Sequence, residues 1–424
     1  MGPEIPRVLL ALGASINTQC KAKGFTALHF CVKSGNIGAA KVIVDAGANT
    51  EVSSEDGEDV VEMMARLSKE NPTDTRPRQI ASVLPREVPD GCMTSIFNTN
   101  PCRKTILLSL PYCGLSLIGM SFEMAKLDIF KGAAMLLATI VLWIQLYSIC
   151  NRYMTPKEGL EVPGGMAVYL GTKCMFFSYF FIELMPYTRG ENALTGYYWD
   201  FAVAFFSISL WYNWYKTHVS DPGYLPNAIE KPREAARVIV KLATEGNLKK
   251  ETFCLSCCIR KPFRSKHDQF TNRCVARFDH YCPFVGNPVG ADNHKYFMYF
   301  VMSLSPLVLL YTVLLFRYMD EVCPDTDGFF DMAFEYAYCK PFATWTILNG
   351  GLHTLWTTGL GIAQLNQIFS DLTTNEAMNR FRYSYLSRGS PWSKGCVGNV
   401  VEFFCRPTFN WKTVYDLPGS KVTV

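Results

Sequence analysis

The sequence predicts an all-α multi-pass membrane protein of six transmembrane helices, with a cytosolic cysteine-rich domain and short paired-helix repeats near its start. Three observations predict it. Of 424 residues, 49% are hydrophobic and 14% aromatic while only 18% are charged, an apolar balance for a soluble chain of this size. Six apolar stretches approach the ~20 residues a helix needs to cross a bilayer. The densest group of the 16 cysteines falls in a stretch rich in Lys and Arg. A net charge of only +4 argues against an electrostatic nucleic-acid binder. The scattered cysteines do not form a compact secreted framework, and the first residues do not read as a basic-then-apolar leader, so most thiols are expected cytosolic and reduced.

The repeats come first. Gly24-Phe25-Thr26-Ala27-Leu28-His29 reads as a turn entering a helix, and Asp45-Ala46-Gly47-Ala48-Asn49 as the turn that closes the unit. Leu12-Gly13-Ala14-Ser15-Ile16-Asn17 repeats the closing turn one unit earlier, and Asp56-Gly57 restarts the pattern one unit later. This string and period resemble ankyrin repeats. Met1 then falls inside a repeat, and since a stacked array needs roughly three or more units, further repeats upstream are expected. Residues 1–69 are assigned to this partial ankyrin-repeat region.

Residues 70–105, rich in Pro, Thr and charge without periodicity, read as a linker. The apolar stretches follow at 106–122, 132–150, 166–187, 197–215, 296–316 and 342–368, with Tyr and Trp at their ends, so residues 106–215 hold spans one to four and 296–369 spans five and six. Gly350-Gly351 makes a tilt or kink in the last one plausible. Orientation follows from charge. The segment between spans four and five carries Lys231, Arg233, Arg237, Lys241, Lys249, Lys250, Arg260, Lys261, Arg264, Lys266, Arg273 and Arg277 and should face the cytosol. The loop between spans five and six, with Asp320, Glu321, Asp325, Asp327, Asp331 and Glu335, suits the lumen. Cys323 and Cys339 lie in that loop, where the compartment permits a disulfide. Six spans put both termini in the cytosol, including the tail 370–424. Lys173 and Glu183 are ionisable at membrane depth, and snorkelling toward the two interfaces is the cheaper explanation.

Residues 216–295 form the cysteine-rich domain. Cys254 and Cys257, two residues apart, can grip one zinc ion from a single turn, and His267 and Cys274 complete a tetrahedral set. With four protein ligands such a site is closed to water and holds a fold rather than doing chemistry. Shortly after comes Asp279-His280-Tyr281-Cys282. A cysteine becomes a strong nucleophile as thiolate, which needs a nearby base, and the base needs an acceptor to fix its tautomer. Cys282, His280 and Asp279 are the residue types for those roles.

From Cys254 to Phe297 the chain resembles the cysteine-rich domain of the DHHC protein S-acyltransferases, or palmitoyltransferases, in a DHYC spelling. Asp221-Pro222-Gly223 after span four, Thr373-Thr374-Asn375-Glu376 after span six, and Cys396-Val397-Gly398-Asn399 followed by Phe403-Phe404 are similar to flanking motifs of that family. Six spans behind ankyrin repeats resemble its ankyrin-bearing branch. The resemblance implies a ping-pong reaction at the cytosolic membrane face. Cys282 takes a long-chain acyl group from acyl-CoA, with His280 as base and Asp279 orienting it, and a substrate protein's cysteine then accepts it. It further implies a Golgi or other endomembrane location, a role for Thr374 in bracing Asp279 and one for Asn399 in seating the C-terminal segment. Arg264, Lys266, Arg273, Arg277 and Lys295 are candidates for the CoA phosphates. Substrate proteins would be recruited through the repeats, and no nucleic-acid partner is expected. One departure is large. The family builds a second zinc site where this chain has Asp268, Thr271, Tyr281 and Pro288, so one structural zinc is expected. That loss favours the alternative of a catalytically weak ankyrin-repeat membrane scaffold. The retained Asp279, His280, Cys282 and first ligand set argue for the enzyme, and a six-span channel has no use for the cysteines.

Overall fold

The computed structural model describes residues 6, 9–10, 13–81, 83–84, 100–153, 164–191, 193–226, 232–244, 252–254, 256–324, 328–405 and 410–415. Several sequence readings lie outside the described residues: Leu12 of the first closing turn, residues 82 and 85–99 of the linker, the lysines at 231, 249 and 250, Asp325 and Asp327 of the acidic loop, and the last residues of the tail. The chain divides into two compact units, one of Met1–Val88, Tyr224–Ala276 and Trp411–Asp416, the other of Pro89–Gly223, Arg277–Asn410 and Leu417–Val424.

The first unit opens with short paired helices, α1 Ala27–Ser34, α2 Ile37–Asp45, α3 Val60–Glu70 and α4 Arg76–Ala81. Thr26 caps α1. Its backbone N–H donates to His29 Nδ1 (3.2 Å), which leaves the Nε2–H to donate to the Glu58 carbonyl (3.3 Å) and tie one helix pair to the next. Chain reversal after α1 uses Gly35 at φ +66°, where a Cβ would come within 2.6 Å of the Arg76 side chain. Leu28, Val32, Ala40, Ile43, Val60 and Met63 form the core, and Ile80 and Leu84 are buried in the same cluster. The packed region therefore runs past residue 69 into what the sequence reads as linker. Two apolar side chains suffice to hold a stretch whose composition is otherwise polar.

Six long helices coincide with the six apolar stretches. They are α5 Asn100–Leu127, α6 Ile129–Tyr153, then α7 Gly164–Tyr179 running through a π turn at Phe180–Leu184 into α8 Met185–Glu191, and α9 Ala193–Val219; after α10 Pro232–Thr244, which belongs to the first unit, come α11 His294–Val322 and, beyond α12 Phe329–Cys339, α13 Pro341–Phe369. Four are long and apolar enough to cross a membrane: Lys104–Leu127, Ile129–Ile149, Gly164–Gly190 and His294–Val322. In α13, buried Thr346, Thr357 and Gln364 dilute the apolar character. Met175, Phe176, Leu184, Leu210, Phe297, Val301 and Leu314 build the core among α7, α9 and α11. The α13 helix is continuous through Gly350. Gly350 serves a close approach instead, since a Cβ there would lie 2.7 Å from Thr312 Oγ1. Cys323 and Cys339 form a disulfide with Cα atoms 5.8 Å apart.

Two expectations are corrected. Lys173 does not snorkel. It is 2% exposed on the packed face of α7, with Tyr169 and Phe176 buried above and below it. Glu183 accepts a hydrogen bond from the Tyr318 hydroxyl at 2.9 Å. The all-α expectation also fails locally, because the cysteine-rich stretch makes three antiparallel hairpins: β1 Phe253–Cys254 with β2 Ile259–Arg260, β3 Lys266–Asp268 with β4 Arg273–Val275, and β5 His280–Cys282 with β6 Asn287–Val289. Strands of two or three residues are too short to show alternation in a sequence. The division between the two units falls at Ala276/Arg277, inside the expected domain 216–295, so that the third hairpin lies in the unit with the long helices.

Candidate active site

In the first unit, Cys254 and Cys257 lie on and after β1, while His267 on β3 sits directly opposite Cys274 on β4. Their ligand atoms all lie within 4.8 Å of one another. His267 Nδ1 is 3.3 Å from Cys257 Sγ and 3.9 Å from Cys274 Sγ. A tetrahedral zinc with ordinary bond lengths needs S···S edges of ~3.8 Å and S···N edges of ~3.5 Å, so shifts of about 1 Å suffice to close the shell. The donor set fits zinc. Three thiols and one imidazole converging on one point are a set that zinc prefers. Among the described residues this is the one cluster of three or more His, Cys, Asp or Glu donors able to hold a metal. The positions where the resemblance implies a second ligand set behave differently. Asp268 accepts from the Thr271 backbone N–H (2.8 Å) and hydroxyl (2.7 Å), and Tyr281 stands opposite Pro288 across the β5–β6 hairpin.

That hairpin carries Asp279, His280 and Cys282 in the second unit, and its position is fixed from the α9 side. Asn287 Nδ2 donates to the Thr217 and Ser220 carbonyls at 2.9 Å each, Trp214 Nε1 donates to the Phe284 carbonyl (3.1 Å), and His218 Nδ1 donates to that of Val285 (2.7 Å). Gly286, at φ +70°, closes the turn after Cys282 and returns its N–H to the Cys282 carbonyl at 2.8 Å. From the α7 side, Gly165 leaves room for Pro283, whose carbonyl oxygen would be 3.1 Å from a Cβ.

Asp279 is 1% exposed. It accepts from His280 Nδ1 (2.6 Å), from the Thr374 backbone N–H (2.7 Å) and hydroxyl (2.8 Å), and from Gln364 Nε2 (3.4 Å). Burial alone would raise its carboxyl. The His294 and His280 imidazoles and the Thr374 N–H outweigh burial and hold it well below the usual carboxylate range. Burial likewise works against charge on His280, yet its bonds to Asp279 and Cys282 push the imidazole up to about 10. With Nδ1–H committed to Asp279, Nε2 is the nitrogen left for the Cys282 sulfur.

Sequence reasoning missed Gln364 and His294 and did not foresee the burial of Arg277. Buried Arg277 lies 3.5 Å from Asp371 and 3.3 Å from His294 Nδ1, with its guanidinium over the Phe403 ring. His294 Nε2 in turn meets Gln364 Oε1 at 3.2 Å, and Gln364 Nε2 donates to the Thr374 hydroxyl at 2.9 Å. The signal available was a glutamine inside an apolar helix. Thr374 is the first residue of α14, Thr374–Met378, which follows α13 after a short connection. Asn399, on α15 Gly395–Cys405, donates to the Phe369 carbonyl (2.8 Å) at the end of α13. Of the remaining candidate cations, Arg264 is buried under Trp411, Arg273 lies exposed over Tyr224, Lys266 is exposed on β3, and Lys295 sits beside Tyr296.

Comparison with known proteins fits this geometry. The DHHC palmitoyltransferase family model matches residues 247–380. Over 94% of its length the chain is 31% identical to mouse "Palmitoyltransferase ZDHHC17", of which it spans 62%. It is 30% identical over 95% to mouse "Palmitoyltransferase ZDHHC13", spanning 64% of it, and 29% identical over 97% to "Palmitoyltransferase Hip14" of Drosophila melanogaster, spanning 65%. The chain thus spans a little under two thirds of these relatives. Motif, hairpin geometry and sequence relatives converge on one conclusion: this chain carries a DHHC palmitoyltransferase domain, with Asp279, His280 and Cys282 inside it.

Proposed function

We propose that the protein is an S-acyltransferase that moves a long-chain acyl group from acyl-CoA, through a thioester on Cys282, to cysteines of other proteins. The observation that carries this reading is the 2.6 Å bond between Asp279 and His280 on the hairpin that holds Cys282. In the first half-reaction the Cys282 sulfur attacks the thioester carbonyl, His280 takes the thiol proton, the bond to the CoA sulfur breaks, and His280 returns the proton to it. In the second, His280 deprotonates the acceptor thiol, whose sulfur attacks the acyl-enzyme carbonyl and releases Cys282. Asp279, pinned by Thr374 and Gln364, fixes the tautomer and stabilises the imidazolium.

In this reading all six long helices span an endomembrane, of Golgi type, with both termini and the cysteine-rich segment in the cytosol. Of the candidate cations for the CoA phosphates, Arg264 and Arg277 are positioning residues, because their guanidiniums are buried against protein partners, which leaves Lys266, Arg273 and Lys295 as the candidates. The N-terminal helices are ankyrin repeats that recruit substrate proteins. Cys254, Cys257, His267 and Cys274 hold one zinc, which supplies folding free energy and takes no part in transfer. The second reading, a catalytically weak membrane scaffold, is favoured by one observation, the Asp268–Thr271 bond at a position where the family has metal ligands.

Incubating purified protein with labelled palmitoyl-CoA separates the two. The transferase acquires a hydroxylamine-sensitive label that Cys282→Ser abolishes, and His280→Ala slows labelling by roughly 10²–10⁴-fold. Label undiminished in Cys282→Ser refutes the assignment.

A further inference from the structure

The α12 helix is an element that acyl transfer leaves unused, and its outward half is entirely apolar. At about 100° per residue, Phe329, Phe330, Ala333, Phe334, Ala337 and Tyr338 fall within one half of its circumference. All six are exposed, the phenylalanines and the tyrosine at 65–76%. Met332, Tyr336 and Cys339 lie on the other half and pack on the core of the long helices. Asp331 and Glu335 occupy one flank between the two halves, across the helix from Phe329 and Ala333.

The ends of three long helices fix where α12 sits. Tyr336 rests against Phe316 of α11, with ring centroids 6.5 Å apart, and its hydroxyl donates to the Asp320 carboxylate one turn farther on. The Cys323–Cys339 disulfide ties the last residue of α12 to the end of α11. Lys126, at the end of α5, donates to the Cys339 carbonyl at 2.9 Å and lies 5.5 Å from the centre of the Tyr338 ring. After a single residue, Lys340, α13 begins. Both α5 and α11 are long and apolar enough to cross a membrane, so α12 lies at the level where they end. Leu309, Val313 and Phe316 form an exposed apolar stripe along α11 at helical spacing. Tyr336 packs at the end of that stripe, and the outward half of α12 continues it.

We propose that α12 lies in the boundary between lipid headgroups and acyl chains, on the side where α5 and α11 end, with Phe329, Phe330 and Phe334 among the chains. Two observations favour a bilayer over a protein partner. The apolar half extends a stripe of a membrane-crossing helix, so one lipid surface covers both. The carboxylates are confined to one flank, which gives α12 a water side and, opposite it, a hydrocarbon side, as a helix lying in the interface requires. Tyr338 and Lys126 at its rim are residue types that settle at this boundary. The proposal rests on α11 spanning the membrane and not on acyl transfer.

The test uses the full chain in phosphatidylcholine vesicles, without acyl-CoA, and two photoreactive phosphatidylcholines. One carries a diazirine close to the glycerol ester, the other at the acyl terminus. After photolysis, reduction and digestion, mass spectrometry should find label from the shallow reagent on Phe329, Phe330, Phe334 or Tyr338. Leu309, near the middle of α11, should take label from the deep one. Replacing both aromatics by Phe330→Gln and Phe334→Gln should lose the label on α12 and keep that on α11, with an unchanged particle mass in detergent. An unlabelled α12 beside a labelled α11 overturns the proposal and leaves the spanning reading intact; label on neither overturns both. A halved particle mass in the double variant overturns it in favour of a second copy of this chain on the face. Should the double variant fail to fold, the wild-type label on α12 still decides.

Discussion

Metal content should be one zinc per molecule. The first donor set is complete and nearly closed, with all four ligand atoms within 4.8 Å. At the other positions Asp268 is engaged by Thr271, Thr271 and Tyr281 offer only neutral hydroxyls, and Pro288 has no side-chain donor. Structural zinc contributes ~10–16 kcal/mol to folding in small zinc domains. Shared evenly over four ligands, that is about 2.5–4 kcal/mol each, so Cys254→Ala should weaken retention of the ion by roughly 10²–10³-fold. Mass-spectrometric metal analysis of purified protein, before and after dialysis against a chelator, reads both quantities. Wild-type protein should give one zinc and lose it slowly; Cys254→Ala should give close to none and expose the 252–276 stretch to proteolysis. A reproducible two zinc ions per chain would show that other residues complete a second shell.

Thr374→Val removes the hydroxyl bond to Asp279 but keeps the backbone one, and should slow self-acylation about tenfold while costing about 1.5–3 kcal/mol of stability; Thr374→Ser should restore both, and an unaffected rate in the valine variant would discard the bracing role. His280, raised to about 10 from an ordinary ~6.5, contributes stability that is complete below pH ~6.5 and declines as pH climbs through about 10. Asp279, depressed, contributes above its ordinary ~3.9 and loses that contribution as pH falls. Melting temperatures between pH 6 and 10 should therefore fall more steeply for wild type than for His280→Gln, and parallel profiles would contradict the ion pair. Deletion of residues 1–84 should spare self-acylation and impair transfer to proteins, whereas a cut after 68 leaves Ile80 and Leu84 without their core and should lower solubility. Loss of self-acylation in a folded 1–84 deletion would mean that the repeats support catalysis.

What the sequence revealed was local. Cys254, Cys257, His267 and Cys274 lie within 21 positions, Asp279 to Cys282 within four, and the chemistry of each residue type nearly names its task. Hydropathy placed the long helices because a bilayer demands length and apolarity of each one separately. Gln364 lies 85 positions from Asp279 and His294 lies 70 from Gln364, so their meeting depends on how α11 packs on α13, which no local spacing encodes. Lys173 was misjudged for the same reason. Snorkelling turns on which face of α7 meets α11, and a helix that is apolar all round gives no moment from which to read that face. Arg277 was read as a candidate for the CoA phosphates because positive charge in a cytosolic segment is usually solvated; here Asp371 and Phe403 come from distant segments to enclose it.

The π turn at Phe180–Leu184 amounts to one surplus residue in an otherwise regular rod. Upstream, the rod presents Lys173 to the bundle; downstream, Arg189 reaches Asp200 at 3.0 Å. A straight α-helix advances about 100° per residue, so the two demands cannot share one uninterrupted phase unless an extra residue is absorbed between them. Shortening the turn by a single residue would rotate Met185–Glu191 by that angle, swinging Arg189 away from Asp200. Related chains that lack the turn should be one residue shorter there, and the gap belongs between Phe180 and Leu184.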